Sequence, residues 1–157
     1  MNQHIKVHFS YNQIFVWDSS VSSPGTLWND VHFEQGFVRR EGVVCFATLL
    51  QDGRADVEVV RGPYVAGNFE RVIQCPLRVG SDAVWVSGPD EYPEPDDHRV
   101  NLPAGSWTVT CGQSVLAERR LNVTLWFMTG VRLQSHILVA DPSLKPPPHL
   151  VETGEAA

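Results

Sequence analysis

Residues 84–111 have the sequence VWVSGPDEYPEPDDHRVNLPAGSWTVTC, and they contain the clearest structural signals of the chain. The segment opens with apolar residues typical of a strand and then enters a loop at residues 88–98. This acidic loop holds three prolines and five carboxylates, so it is too polar and too constrained to form core. Loops held by a rigid scaffold often carry function, which makes this one the first candidate site.

Two strands are predicted after the acidic loop, at residues 99–102 and 106–111. In the second strand, Trp107, Val109 and Cys111 alternate with threonines, which is the two-residue period of a strand with one buried face. The Pro-Ala-Gly between the two strands predicts a hairpin. We therefore expect the hairpin to be scaffold, with the Trp107 ring in the core.

The negative charge of the chain is concentrated in the same region. Six of the 18 acidic residues lie between Asp82 and His98, where no Lys or Arg occurs. This window accounts for the whole formal net charge of −6, because the acids outside it are matched by the 12 Lys and Arg. Two interpretations stay open: a solvated turn, which is the commoner meaning of a charge run, or a docking surface for a basic partner. The acidity argues against a broad nucleic-acid-binding surface.

Short strands separated by turns are predicted over most of the remaining chain. Alternating or continuous apolar patterns indicate strands at residues 4–11, 14–17, 43–50, 55–59, 72–79, 83–87, 120–128 and 136–140. Asp52-Gly53 predicts a hairpin turn, and Pro76 places its strand at an edge or a bulge.

One short helix is predicted within residues 26–36. Asn29 or Asp30 can cap its start, and Gly36 can end it. Its imperfect apolar face would pack against a sheet and consists of Trp28, Val31 and Phe33.

The predicted fold class is mainly β, a single-domain antiparallel β-sandwich with one short helix. A length of 157 residues suits one domain with a sizeable core. We expect residues 1–140 to form this domain. Residues 141–157 contain three consecutive prolines and predict a C-terminal tail with little structure of its own.

No catalytic, metal or cofactor site is predicted. His4 and His8 lie on a predicted strand, where four residues span roughly 13 Å, too far for one ion. Cys45, Cys75 and Cys111 have no CxxC spacing and lie in apolar stretches, so we expect three buried thiols. An irregular calcium site in the acidic loop remains a minor alternative.

The beginning of the sequence, MNQHIKVHF, lacks the long apolar region of a signal peptide. No apolar run approaches the length needed to span a bilayer. These features predict a cytoplasmic, reduced protein.

Three ordered segments resemble the competence protein J (ComJ) family. They are SYNQIFVWDSS at residues 10–20, TLWNDVHFEQGFVRREGVVCFAT at residues 26–48, and VNLPAGSWTVTC at residues 100–111. Within them, Tyr11, Trp28 with Asp30, and the Leu-Pro-x-Gly turn carry the resemblance through their order and spacing. The similarity extends over residues 5–112 and fades afterwards.

The resemblance implies a small non-enzymatic protein that binds a DNase and blocks it, in a competence or a toxin-immunity setting. It supplies no catalytic residues and does not say which residues touch the nuclease. Because a DNase presents a basic groove to DNA, dense carboxylates could dock against it. The predicted partner-binding residues are Asp90, Glu91, Glu94, Asp96 and Asp97, and residues 28–37 are the next choice.

Two other classes of function remain as alternatives. A β-sandwich that binds a small ligand or carbohydrate would use exposed rings of Trp85, Tyr92 or Trp107 for stacking, although the alternation places Trp107 in the core. An enzyme of unknown type is the third alternative, and it finds the least support in the sequence.

Overall fold

The chain folds into two β-sheets packed face to face, in a computed structural model that describes residues 2–91, 96–130 and 134–157. The described residues form eleven strands, one α-helix and one 3₁₀ turn, which confirms the predicted mainly-β class with one short helix. In chain order the elements are β1 (Gln3–Phe9), β2 (Gln13–Asp18), α1 (Asp30–Gln35), β3 (Phe37–Arg40), β4 (Val43–Ala47), β5 (Gly53–Arg61), β6 (Arg71–Val79), β7 (Ala83–Ser87), the 3₁₀ turn (Asp96–His98), β8 (Arg99–Asn101), β9 (Gly105–Ala117), β10 (Arg120–Thr129) and β11 (His136–Val139).

The larger sheet has the strand order β1-β5-β10-β9-β6-β11, and the smaller sheet has the order β3-β4-β2-β7-β8. Within the described part of the chain, neighbouring strands are antiparallel except β5 and β10, which run parallel. The pairing of β6 with β11 stops at Gln74, so beyond that residue β6 is paired on one side only, with β9. Pro76 lies in this locally edge-like part of β6, where a proline is tolerated.

Both predicted hairpins are wrong, because each turn instead carries the chain from one sheet to the other. β8 pairs with β7 in the smaller sheet, whereas β9 pairs with β6 and β10 in the larger sheet. The Asp52-Gly53 turn likewise joins β4 to β5 in different sheets. Gly53 has φ 143°, and a Cβ there would lie 2.2 Å from the carbonyl oxygen of Arg119. Glycine is therefore required by a close backbone approach rather than by a two-residue turn.

The core lies between the sheets and is built from the alternating apolar faces of both. Trp107 belongs to this core at 7% exposure, as its alternation predicts. A second apolar cluster on the outer face of the smaller sheet contains Trp17 and Val38, and Val21 and Trp28 pack against it. The three cysteine thiols are buried, and burial raises the pKa of each to about 12. They are therefore unreactive packing residues.

Buried polar side chains form hydrogen bonds between the two sheets at one end of the sandwich. Arg71 on β6 and Gln113 on β9 face each other in register. Each donates a 2.9 Å hydrogen bond to the carbonyl oxygen of Ala47, at the end of β4 in the opposite sheet. Because these groups are buried, losing either partner would leave an unsatisfied polar atom in the core.

Residues 141–157 contain no helix or named strand, yet they contact α1 through the backbone of Lys145 and β3 through Glu152, which accepts from Arg39. Leu144 is 7% exposed and joins the core, and Thr26 forms a β-bridge with Ala156. The side-chain amide of Gln35 donates to the carbonyl oxygen of Val151 at 2.9 Å and accepts from its N–H at 2.8 Å. A division of the chain at residue 140 remains a prediction.

We predict that Asp141→Asn destabilises the fold and flattens its acid denaturation. Burial alone would raise the pKa of the Asp141 carboxyl, but hydrogen bonds from Arg71 and Ser143 and the charge of Arg71 lower it to about 2. A carboxyl with a depressed folded-state pKa contributes stability above its ordinary pKa of 3.8 and loses it as the pH falls toward 2. The substitution also leaves the buried Arg71 guanidinium uncompensated, at a cost of about 3–5 kcal/mol.

Urea unfolding at pH 7 and at steps down to pH 2 measures both effects, with Asp82→Asn as the exposed control. An Asp141→Asn variant as stable as the wild type at pH 7 would contradict this role of the ion pair.

Candidate functional site

At one end of the sandwich, several loops that are distant in sequence lie next to one another, and we call this end the loop end. Backbone hydrogen bonds of 2.9 Å join Asn12 to Thr48 and Gln51, and Arg54 to Arg119. The antiparallel pairing of Phe15 with Ser87 brings the start of the acidic loop to the same end. The loop end comprises residues 10–13, 28–35, 48–52, 88–91 and 117–119. The 3₁₀ turn at residues 96–98 adjoins it through His98, which lies beside Glu91.

The β1–β2 turn forms the centre of the loop end. Ser10 and Gln13 form a β-bridge around Tyr11 and Asn12, whose φ angles are 52° and 57°. The Asn12 side chain donates to the carbonyl oxygen of Leu50 at 3.2 Å, which fixes the turn against the β4–β5 connection. The Tyr11 side chain is 70% exposed. The turn therefore presents an aromatic ring from a backbone that is fixed on both sides.

The acidic loop is attached to this turn at its first residues. A Cβ on Gly88 would lie 1.9 Å from the carbonyl oxygen of His8, so the two backbones touch at a point that only glycine permits. Two residues later, Asp90 accepts a 2.7 Å hydrogen bond from the Ser10 hydroxyl. The loop therefore leaves the smaller sheet along a path fixed by β1.

The five predicted partner-binding residues have different environments. Asp90, Asp96 and Asp97 are exposed. The side chain of Glu91 is 14% exposed and accepts a hydrogen bond from the Gly88 N–H at 2.9 Å, while its other oxygen lies 3.8 Å from Nε2 of the buried His98. Glu91 therefore stabilises the loop from inside. Glu94 lies outside the described residues.

The helix brings a second aromatic group to the loop end. Asn29 caps α1 by accepting from the His32 N–H at 3.1 Å, and Gly36 ends it with φ 86°, as the sequence predicts. The Trp28 indole N–H donates to Gln13 at 3.0 Å, and the Trp28 ring stacks on Phe33 with centroids 4.7 Å apart.

The predicted apolar face of the helix is wrong, because the buried helix residues are His32 and Gln35 while Phe33 is 46% exposed. Backbone groups of Thr153 and Val151 provide hydrogen bonds for these buried polar side chains. A groove of about 690 Å³ lies between this helix and residues 151–155, and Trp28 lines it.

The loop end carries the exposed side chains of Tyr11, Phe33 and Asp90. Among the described residues, no group of three or more His, Cys, Asp or Glu is placed to hold a metal ion. Tyr11 was predicted as the last residue of the first strand and not as a site residue, whereas β1 ends at Phe9. Asn12 was the one local signal of a turn, because Asn tolerates the left-handed conformation.

Trp85 and Trp107, the two residues of the carbohydrate alternative that the structure describes, do not form one platform. Trp107 is buried in the core and donates its indole N–H to the carbonyl oxygen of Pro103 at 2.9 Å. Trp85 is half-buried, and the Arg99 guanidinium lies 6.0 Å from its ring centroid. Tyr92 lies outside the described residues. A stacking site that uses Trp85 and Trp107 together is therefore absent from the described structure.

We predict that Gly88→Ala lowers the free energy of unfolding by about 1–3 kcal/mol, because the added methyl group overlaps the His8 carbonyl and must displace backbone. Gly25→Ala is the matched control, since its Cβ would meet Ala157 at an ordinary 3.4 Å. Chemical denaturation of both variants tests the contact. Equal stabilities for the two variants would contradict a fixed start of the acidic loop.

Comparison with known proteins identifies a family match. The family model for competence protein J (ComJ) matches residues 6–128. A crystal structure described as ComJ, inhibitor of the DNA degrading activity of NucA, from Bacillus subtilis, aligns with a TM-score of 0.69 at 16% identity, covering 82% of this chain and 96% of that one. A structure described as crocagin biosynthetic gene J aligns with a TM-score of 0.50 at 16% identity, covering 80% and 96%. At this identity both likenesses show the fold.

No curated protein sequence matches the chain significantly. In the described part of the chain, no helix has the length and apolar character required to cross a bilayer.

Proposed function

The chain belongs to the competence protein J (ComJ) family, and on that premise we propose that it is a non-enzymatic inhibitor or immunity protein that binds a DNase and blocks it. The observation that carries this proposal is the family match over residues 6–128. The structural likeness to a protein described as an inhibitor of a DNA-degrading activity supports the same function. The partner proposed for this chain is therefore a DNase rather than DNA.

The acidic loop is the proposed docking element for the nuclease. Asp90 presents an exposed carboxylate at the loop end, and Asp96 and Asp97 present two more on the adjoining 3₁₀ turn. The sequence adds Glu94 between them. A DNase must attract a polyanion, so the region around its active site is basic. Carboxylates facing such a surface accelerate association and favour the correct partner.

Glu91 has a different part in this proposal. Its carboxylate accepts from the Gly88 N–H and lies beside His98, so it positions the loop instead of meeting the partner. Its removal would change the loop and the charge together. A test of the docking charges should therefore leave Glu91 in place.

Two further properties belong to the same proposal. We infer that the chain acts by occupying the nuclease and carries out no reaction of its own, in keeping with the inhibitor described for its structural relative. The buried unpaired thiols Cys45, Cys75 and Cys111 favour a reducing compartment such as the cytoplasm.

The proposal is tested with the purified chain and the DNases encoded in its own genome. We expect a tagged chain to co-purify with one DNase and to abolish its cleavage of plasmid DNA at stoichiometric concentration. The chain alone should leave the plasmid intact. Cleavage by the chain itself, lost on substitution of a single histidine, would contradict the inhibitor function.

Binding kinetics with the co-purified DNase, measured over a series of salt concentrations, test the docking charges. Asn at Asp90, Asp96 and Asp97 should slow association and reduce the salt dependence of binding, because these exposed charges act at long range. The control removes the same charge elsewhere, with Gln at the exposed Glu41, Asn at the exposed Asp82 and Gln at the half-buried Glu58. Equal salt dependence in the two variants would show that the acidic loop is only a solvated turn.

A further inference from the structure

We propose that the nuclease is anchored by an aromatic contact centred on Tyr11, with the acidic loop at the rim of that contact. The inference rests on the proposed function and identifies the residue of this chain that the partner covers. The surface concerned, the aromatic surface, consists of Tyr11, Leu27, Trp28 and Phe33.

The Tyr11 side chain has no evident role in the fold. It is 70% exposed, and it makes no hydrogen bond or ring contact with any residue that the structure describes. Its backbone has φ 52°, a left-handed conformation that favours Gly or Asn and disfavours a bulky aromatic residue. A large ring at this turn therefore lowers local stability without a packing gain, and such conformations are retained most often at functional sites.

The turn fixes the backbone that carries the Tyr11 ring before any partner arrives. Asn12 forms backbone hydrogen bonds of 2.9 Å with Thr48 and Gln51, and its side chain bonds Leu50. Because the backbone is already ordered, docking on Tyr11 costs little conformational entropy beyond that of the ring.

The two residues that flank the turn link Tyr11 to the rest of the surface. Ser10 donates to Asp90, at the start of the acidic loop. Gln13 accepts from Trp28, whose ring stacks on Phe33. Leu27 is 53% exposed and extends the apolar area. Aromatic groups beside a charged border form the usual anatomy of a protein interface.

The charge of the border specifies the chemistry of the partner surface. Solvated carboxylates such as Asp96 and Asp97 accelerate encounter but contribute little to the strength of the final complex. Strength comes from a desolvated anchor, and Tyr is among the residues most enriched in that role. A basic partner surface suits both the acidic border and the Tyr11 anchor, because Arg or Lys can pair with carboxylates and can also stack on an aromatic ring. The occupant is therefore the basic face of the nuclease.

Tyr11→Gly tests the proposal because it should weaken binding without lowering the stability of the fold. Glycine accepts the left-handed conformation, so the melting temperature should stay unchanged or rise. The dissociation constant for the nuclease should increase at least tenfold, mainly through faster dissociation. Val65→Ala is the control, because Val65 is 66% exposed in the β5–β6 connection away from the loop end and its loss should leave affinity unchanged.

Calorimetry or surface plasmon resonance with the co-purified nuclease, together with thermal melts, gives both quantities. Weakened binding by a fully folded Tyr11→Gly variant supports the anchor. Wild-type affinity for that variant overturns the anchor and leaves the inhibitor function standing. If the wild-type chain binds and inhibits no DNase from its genome, the proposed function fails and the anchor fails with it.

Discussion

The two-residue passage between the sheets at Tyr11 and Asn12 is the constraint on which both the core and the loop end depend. β1 pairs in the larger sheet and β2 in the smaller, so the chain changes layers within the turn bridged by Ser10 and Gln13. The hydrogen bonds of Asn12 to Thr48 and Gln51 hold the second passage, from β4 to β5, beside the first. With the sheets joined in this way, their apolar faces meet across the core. The connections of the loop end lie around the turn, whereas the β6–β7 and β8–β9 connections lie at the opposite end.

Buried polar side chains complete the structure where apolar packing ends. Arg71 and Gln113 hold the end of β4, Gln35 holds the backbone of Val151, and Glu91 holds the start of the acidic loop. Arg71, Gln113 and Gln35 bond the backbone of segments distant in sequence, whereas Glu91 bonds the backbone of its own loop. Such bonds place segments that have no apolar face of their own, and they give the protein a defined surface outside its sheets. The proposed docking elements depend on them, because neither the acidic loop nor the helix is long enough to be ordered alone.

The strands were predictable from the sequence because their alternation is a local property, and the capped helix between Asn29 and Gly36 followed from residues that satisfy its own ends. The two hairpins were predicted wrongly because the partner of a strand is fixed by the core. Position 53 shows why the sequence alone misleads here. It requires glycine because the backbone of Arg119, more than sixty residues later in the chain, lies against it. At the site, the sequence located the exposed carboxylates of Asp90, Asp96 and Asp97. It could not separate Glu91 from them, because the inward turn of Glu91 depends on where Gly88 and His98 lie.

Hydrogen–deuterium exchange of the chain, free and bound to its nuclease, tests most directly the claim that the loop end is the inhibitory surface. The account predicts slower exchange on binding at the backbone amides of residues 10–13, 28–35 and 96–98, with little change elsewhere. The opposite end of the sandwich, where the Leu102 N–H donates to the carbonyl oxygen of Asp82, provides an internal reference in the same experiment. Protection confined to residues 80–82 and 102–105, with none at the loop end, would contradict the account.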